Sequence, residues 1–425
     1  MLNAEGSIGM ARRDKGKKMK ILVVAPEFPL VNQPWMDTYL EHLLINEIDF
    51  RVFSLNQKPT VYGEKVDRLD LLKKTSSYDF SRWAIISSIV KAIPILSGYK
   101  SSFRIRHSGI LKTLGFSKLV TYVMHFHSII DSFDDIDLIH SHSESMSYRF
   151  IVLAELLNVP LIMTFHGLPP KGVLQLSQNK RKELYDYARI VIVNTKFAKR
   201  QVEQFGCASE KIVVLPQGLP IEDFPYRPKP ALRKGEVLQL LSVGRFHRDK
   251  GQHYSLLALK RLLADGIQAH WTFVGTGPNL GWLKQLTKKY GMQNNVTFKT
   301  EVPSKEIVEL YHQTNLFILA SIDTPGGHVE TQGVVLQEAQ ASGCIPITTR
   351  TGGIVECVHH QQDAVLIRPQ SSRAIYDAIT SFIEKPELWS CFQKNGRLNV
   401  EKNFSADVIG ERMAILINNY KRQES

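Results

Sequence analysis

The sequence predicts an α/β protein made of two doubly wound domains, and three observations predict it. Short apolar runs of strand character alternate with helical stretches over most of the 425 residues. Pro216, Pro220, Pro225, Pro228 and Pro230 cluster within residues 216–230 and split that alternation into two halves. Two glycine-rich loops in the second half each follow a predicted buried strand, at the edge where open parallel sheets hold ligands. A hydrophobic content of 43% is enough to fill two cores.

Taken in order, residues 1–18 are polar and basic, with Arg12, Arg13, Lys15, Lys17 and Lys18 and no hydrophobic period, and are expected to be a disordered extension. The first domain, 19–218, opens with the strand that starts at Lys20. Further strands are expected at Arg51–Leu55, Asp137–Ser141, Leu161–Phe165, Ile190–Asn194 and Ile212–Leu215. Residues 219–234 read as a proline-rich linker. The second domain, 235–395, repeats the pattern with strands near Leu238, Trp271, Val296, Leu316, Ile345 and Ala364. No short-period repeat interrupts either half.

The segment Asp323–Glu338 carries the most chemistry. The run Asn315–Ala320 reads as a buried strand, and Gly333–Ser342 as a helix closed by Gly343. Such a helix points the unpaired N–H groups of Gly333 and Val334 back at the strand end, where they can hold a phosphate. Glu330 and Glu338 flank that terminus and can accept hydrogen bonds from sugar hydroxyls. On this segment alone, an ordinary strand-loop-helix with two solvated acids is an equal reading. The loop Gly244–Gly251 changes the balance. It follows the strand Val237–Val243, and its Arg245 and Lys250, each beside a glycine, can converge on the same diphosphate.

Other polar clusters carry less. His166 ends the strand Pro160–Phe165 beside Gly167 and can reach a cleft, although a satisfied core histidine fits the same position. His125 with His127, and His140 with His142, have alternate spacing that would place each pair on one strand face. No cysteine or acid is spaced to complete a metal site with them. Asp135-Ile-Asp137 is expected in a solvated loop. Cys207, Cys344, Cys357 and Cys391 lie too far apart for a zinc motif or a disulfide framework, and mostly buried reduced thiols are expected.

Together these residues resemble glycosyltransferase family 4 over Met19 to about Phe404. The likeness lies in Gly244, Arg245, Lys250 and Gly251; in Glu330 and Glu338; in Thr164-Phe-His-Gly167; and in Val274-Gly-Thr-Gly-Pro278 and Leu215-Pro-Gln-Gly218. Lys250-Gly-Gln-His253 is similar to the bacterial exopolysaccharide branch, the transferases of colanic acid and amylovoran assembly. Where many members carry a glycine pair after the first strand, this chain has Phe28-Pro-Leu-Val-Asn-Gln-Pro-Trp35.

The resemblance implies the GT-B fold, two Rossmann-like domains facing across a cleft, with helices in 396–425 crossing back to the first domain. It implies a retaining transferase that takes its sugar from a UDP- or GDP-sugar and needs no metal or other cofactor. Glu330 and His166 would meet the donor sugar. Arg245, Lys250, Gly244 and the N–H groups of Gly333 and Val334 would meet the diphosphate, Glu338 the ribose, and the backbone near Thr300–Val302 the base. A sugar-nucleotide epimerase or a catalytically silent binding protein on the same fold are the rival readings. The epimerase lacks a second set of acids for proton transfer, and the intact loops argue against the silent protein.

The net charge of +12 is partly local, because no Asp or Glu occurs between Arg82 and Ile130. There Arg82, Lys91, Lys100, Arg104, Arg106, Lys112 and Lys118 interleave with apolar residues at roughly helical spacing, which suits an anionic membrane surface. Helices docked on their own sheet with a solvated basic face fit equally well. A polyprenyl-diphosphate-linked saccharide is the acceptor that the resemblance suggests. No nucleic-acid module is recognised. No segment reaches membrane-spanning length and no cleavable leader precedes the first strand, so a cytoplasmic protein, peripheral to the membrane, is expected.

Overall fold

The computed structural model describes residues 18–29, 34–56, 64–77, 118, 126, 133, 135–169, 175–300, 302–324 and 328–420. Apart from Lys118 and Phe126, the basic segment 82–130 lies outside them, as do His125, His127 and residues 1–17.

Two fully parallel sheets organise the described residues. The first contains β1 (Lys20–Glu27), β2 (Asp49–Asn56), β3 (Thr75–Ser77), β4 (Leu138–Ser141), β5 (Leu161–Phe165), β6 (Ile190–Val193) and β7 (Ile212–Val214) in the order β3-β2-β1-β4-β5-β6-β7. The second contains β8 (Leu238–Val243), β9 (Ala269–Val274), β10 (Val296–Lys299), β11 (Leu316–Leu319), β12 (Ile345–Thr349) and β13 (Val365–Ile367) in the order β10-β9-β8-β11-β12-β13. The near-continuous apolar runs have a physical cause. Helices cover both faces of a parallel sheet, so every side chain of β4, β5, β6, β11 and β12 is buried.

Within a strand, alternate residues serve opposite cores. Leu22, Val24, Ile139, Leu161, Met163, Val191 and Val193 pack with Phe150 and Leu153 of the helix Glu144–Leu157. Their neighbours Ile21, Val23, Leu138, Ile162, Ile190 and Ile192 pack with Met36, Leu40 and Leu43 of the helix Pro34–Ile45. This second core is completed from the far end of the sequence, by Ile409, Met413 and Ile417 of the helix Ala406–Asn418. Leu219 anchors the return, accepting from Ala406 N at 2.8 Å and donating to Phe404 O at 2.7 Å. Gly410 permits the close crossing, since a Cβ there would lie 2.5 Å from the His42 ring.

Three local expectations are revised. β3 was not foreseen, because Thr-Ser-Ser at a sheet edge has neither apolar alternation nor deep burial. The helix expected from Gly333 begins at Val334, with Gly333 as its left-handed N-cap at φ 78°. Asp135-Ile-Asp137 is not simply a solvated loop. Asp137 is buried and accepts from the Lys20 backbone N–H at 2.9 Å, while Asp135 pairs with the Lys20 ammonium, so the two acids clip β1 to the chain entering β4. Cys207, Cys344 and Cys357 are buried thiols and Cys391 is exposed. No described helix is long and apolar enough to cross a membrane.

Candidate active site

In the second sheet β8 pairs with β9 on one side and β11 on the other, so the strand order reverses between β8 and β11. The crevice beyond the strand ends at such a reversal is where doubly wound sheets bind ligands. The loop after β8 lies on the end of β11 because of one glycine. Gly251 sits at φ 61°, and a Cβ there would lie 2.0 Å from the Ala320 carbonyl oxygen. Asp249 O accepts from Ile322 N at 2.7 Å and holds the two loops together.

This contact delivers Lys250 to Glu330. The Lys250 ammonium pairs with Glu330 Oε1, which also accepts from Ser321 Oγ at 3.0 Å, and His328 Nε2 lies 3.8 Å from Oε2. Burial pushes the Glu330 carboxyl up, but the Lys250 ammonium and His328 more than offset it, leaving the group well below the usual carboxylate range. Arg245 is less committed. Its guanidinium is 42% exposed and donates to the buried Asp249 carboxylate at 3.2 Å, while His247 Nδ1 lies 2.8 Å from the other Asp249 oxygen. Gly244 opens this loop with its N–H on Val274 O at 2.9 Å.

Glu338 lies in the helix Val334–Ser342 and accepts from the Tyr311 hydroxyl at 2.8 Å. Burial raises its carboxyl above the usual range although the Tyr311 hydrogen bond opposes the shift. Gly333 supplies no side-chain cap, so the start of the helix keeps free backbone donors. Val302 packs beside these elements.

His166 follows β5 and stands among aromatic rings. Its Nδ1 faces Gln217 Nε2 at 3.2 Å, its Nε2 faces His142 Nδ1 at 3.3 Å, and Trp35 lies 4.6 Å away between ring centres. Burial lowers its pKa to about 4. The His166 and Glu330 loops meet directly. Thr331 Oγ1 donates to His166 O at 3.2 Å, and Thr195 Oγ1 donates to Thr331 O at 2.8 Å. Gln332 and Gln217 exchange two hydrogen bonds, at 2.8 and 3.1 Å. The structure thus brings Lys250, Glu330 and His166 around one seam, with Arg245 in the adjoining loop. Thr331, Gln332, Gln217, Tyr311 and His142 were not singled out as site residues. Thr331 and Gln332 are signalled by their adjacency to Glu330, Gln217 by the Leu215-Pro-Gln-Gly218 motif and His142 by its pairing with His140, whereas nothing in the sequence signals Tyr311.

Among the described residues no group of His, Cys, Asp and Glu side chains is arranged to hold a metal ion. His140 and His142 do lie close, 4.3 Å between ring centres, but His140 is engaged by Tyr39 at 2.6 Å and Thr164 at 2.8 Å.

Two parallel α/β sheets with a ligand crevice at their seam form the GT-B architecture, and solved structures agree. HepE from Anabaena, solved with UDP and glucose, superposes with a TM-score of 0.69 at 17% identity over 94% of this chain and all of its own. Residues 225–399 match the model for glycosyl transferases group 1, and residues 97–223 match that for glycosyltransferase family 4. The two matches, one in each half, make the chain a glycosyltransferase. Its relatives include the Escherichia coli colanic acid biosynthesis glycosyltransferase WcaL, 26% identical over 60% of this chain. The amylovoran biosynthesis glycosyltransferase AmsK of Erwinia amylovora is 24% identical over 50%. These matches span 63% and 53% of the relatives' own lengths.

Proposed function

We propose that the protein is a retaining glycosyltransferase that moves a sugar from a UDP- or GDP-sugar to a lipid-linked or surface polysaccharide acceptor. The observation that carries this reading is the convergence of Lys250, Glu330 and an uncapped helix start on the sheet reversal, with His166 across the seam. Lys250, Arg245, Gly244 and the N–H groups of Gly333 and Val334 hold the diphosphate and stabilise its charge as it leaves, without a metal. Glu338 takes the ribose hydroxyls, Glu330 and His166 the donor sugar, and the backbone at Val302 the base. The acceptor hydroxyl approaches on the face from which the diphosphate departs, and that diphosphate helps to take its proton. UDP and glucose in HepE, and the polysaccharide roles of WcaL and AmsK, support this choice of donor and acceptor class.

A thermal-shift panel of UDP- and GDP-sugars tests the donor. A ligand at a hundred times its Kd stabilises by about 2.7 kcal/mol, and a panel in which no member stabilises removes the reading. Attachment to the membrane through the basic segment 82–130 is the finer part of the proposal. Cosedimentation with anionic but not neutral vesicles at low salt tests it. Lys118, the one basic residue of that set within the described structure, pairs with Glu155 at 3.0 Å and Glu183 at 3.2 Å, so the remaining six would act.

A further inference from the structure

His328 stands where the two domains touch, and its ring faces both. Nδ1 lies 3.0 Å from the carbonyl oxygen of Leu168, in the loop that follows β5 of the first sheet. A carbonyl oxygen only accepts, so Nδ1 carries a proton and donates. Nε2 lies 3.8 Å from Glu330 Oε2, a contact that is attractive when Nε2 carries a proton too. The imidazole is 17% exposed and the Glu330 side chain 10%, so solvent and salt screen little of it.

The two oxygens of Glu330 are held differently. Oε1 takes the Lys250 ammonium and accepts from Ser321 Oγ at 3.0 Å, both from the second domain. Oε2 faces the residue that is bonded to the first domain. The main chain of Glu330 is fixed within its own domain. Its carbonyl accepts from Gly353 N at 2.7 Å, and a Cβ on Gly352 would lie 2.1 Å from the same oxygen. The rotation of the carboxylate is what remains to be set, and His328 bears on it from an anchor outside the domain.

The first-domain loop comes close enough to provide that anchor. Gly167 has φ 103°, and a Cβ there would lie 3.0 Å from Thr331 Cγ2 and 3.7 Å from Val329 O. Thr331 Oγ1 donates to His166 O beside it. Withdrawal of this loop would remove the acceptor of His328 Nδ1. The ring would then be free to turn among its rotamers, and Oε2 would lose its fixed neighbour. We infer that His328 is a positioning residue that couples the docking of the Leu168 loop to the orientation of the Glu330 carboxylate. The inference rests on the transferase reading, in which Glu330 meets the donor sugar, and adds to it the residue that makes this contact depend on the seam. His328 acts through Glu330 and touches no ligand itself.

The test compares affinities on the full chain, so no acceptor is needed. Calorimetry measures UDP, GDP, UDP-glucose, UDP-galactose, UDP-N-acetylglucosamine and GDP-mannose against wild type, His328→Phe, His328→Asn and His328→Gln. The asparagine amide can replace Nδ1 and keep the Leu168 bond, and the glutamine amide can replace Nε2 and keep the Glu330 contact. Phenylalanine keeps the ring and neither donor. The sugar nucleotide that binds wild type is expected to bind His328→Phe about tenfold more weakly, as the loss of one hydrogen bond to a charged group implies. The asparagine and glutamine variants should fall between. Affinity for the bare nucleotide is expected to be unchanged, which also shows that the variants are folded. A role in ring packing gives the reverse order, with phenylalanine nearest to wild type. In the Glu330→Ala background His328→Phe should cost nothing further, because its effect runs through the carboxylate. The positioning role is refuted, and the transferase reading stands, if a sugar nucleotide binds and any of three results is found: His328→Phe matches wild type, the bare nucleotide loses as much, or the loss persists without Glu330. If no sugar nucleotide binds the wild-type chain, the transferase reading falls and the inference with it.

Discussion

The two sheet edges that meet at Thr331 use opposite chemistry. On the second sheet a buried ammonium and carboxylate, Lys250 and Glu330, compensate each other across two loops. On the first sheet His142 and His166 stack on each other, Trp35 and Tyr39 pack tilted or edge-on against the His140, His142 and His166 rings, and these rings bond to a phenol, a hydroxyl, an amide and one another. Burial holds these imidazoles neutral, lowering His140 to about 3 and His166 to about 4, and His142 well below the ordinary range. The difference is one of charge against neutral hydrogen bonding. In the proposed reading the cations Lys250 and Arg245 of the charged edge meet the diphosphate, while the neutral edge offers His166 to the donor sugar. The difference also means that the two edges respond differently to mutation and to pH.

The largest effect is expected at Lys250. Lys250→Ala should lower kcat/KM by about a hundred- to a thousandfold through lost stabilisation of the leaving group. It should also destabilise the fold by about 3–5 kcal/mol, because Glu330 is left as a buried, uncompensated carboxylate. Adding Glu330→Gln should restore most of the stability and none of the turnover. A double variant that regained activity would show that Lys250 serves only to neutralise Glu330. Arg245→Ala should share the kinetic loss with little loss of stability, since its guanidinium is substantially exposed.

Acid should then dismantle the edges in sequence. The imidazoles have folded pKa values below their unfolded values near 6.5, so the unfolded chain binds their protons first and stability falls as pH drops from about 6.5. Glu330 is also depressed, relative to about 4.3 unfolded, so its contribution is present above that value and is lost only below it. Asp37, raised to about 7 by burial, runs in the opposite sense and loses its contribution as pH rises toward and past 7. Urea midpoints between pH 7 and 3 check this. His142→Phe should flatten the upper part of the acid loss and leave the lower part, and an unchanged profile would mean that the imidazole stack does not resist protonation.

A smaller effect distinguishes the glutamates. Glu338→Ala should weaken free UDP or GDP as well as the sugar nucleotide, whereas Glu330→Ala should spare the free nucleotide and impair transfer. Tyr311→Phe removes the hydroxyl that orients Glu338 and should cost about 0.5–1.5 kcal/mol of nucleotide affinity. Calorimetry with the bare nucleotide decides it, and equal losses at both glutamates would erase the division between ribose and sugar.

How much of this was legible before the structure depends on the kind of signal. The charged edge was readable because Gly251, Arg245, Lys250, Glu330 and Glu338 are special residues at local spacings, and a strand-loop-helix pattern places them. The neutral edge was only half readable. His166 stood out beside Gly167, but His140 and His142 looked like an incomplete metal site, because their partners Tyr39, Thr164 and His166 are distant in sequence. The final helix could not be seen to complete the first core from its own pattern. Ile409, Met413 and Ile417 form an apolar face without saying which sheet receives it. The polar edge strand β3 carried no periodic signal at all.

The smallest predicted effect lies at the seam itself. Glu356, in the turn after β12, accepts from the backbone N–H groups of Lys196 and Phe197 at 2.7 Å each, so a carboxylate of the second domain caps the helix Lys196–Gln204 of the first. Arg200 lies 3.6 Å from the same group. A carboxylate at a helix N-terminus is worth about 0.3–1 kcal/mol, and Glu356→Gln keeps one acceptor oxygen while removing the charge. The variant should therefore lose stability within that range at low salt, with donor binding and turnover nearly unchanged because Glu356 touches none of the proposed ligand contacts. The contact is 25% exposed on the glutamate side, so salt should screen the charge and the difference from wild type should shrink at high ionic strength. Urea titrations at two salt concentrations measure this directly. A loss that does not shrink at all with salt would make the contact a matter of hydrogen-bond geometry rather than charge, and a loss well above 1 kcal/mol would mean that the seam, and not the two separate edges, sets the stability of the pair.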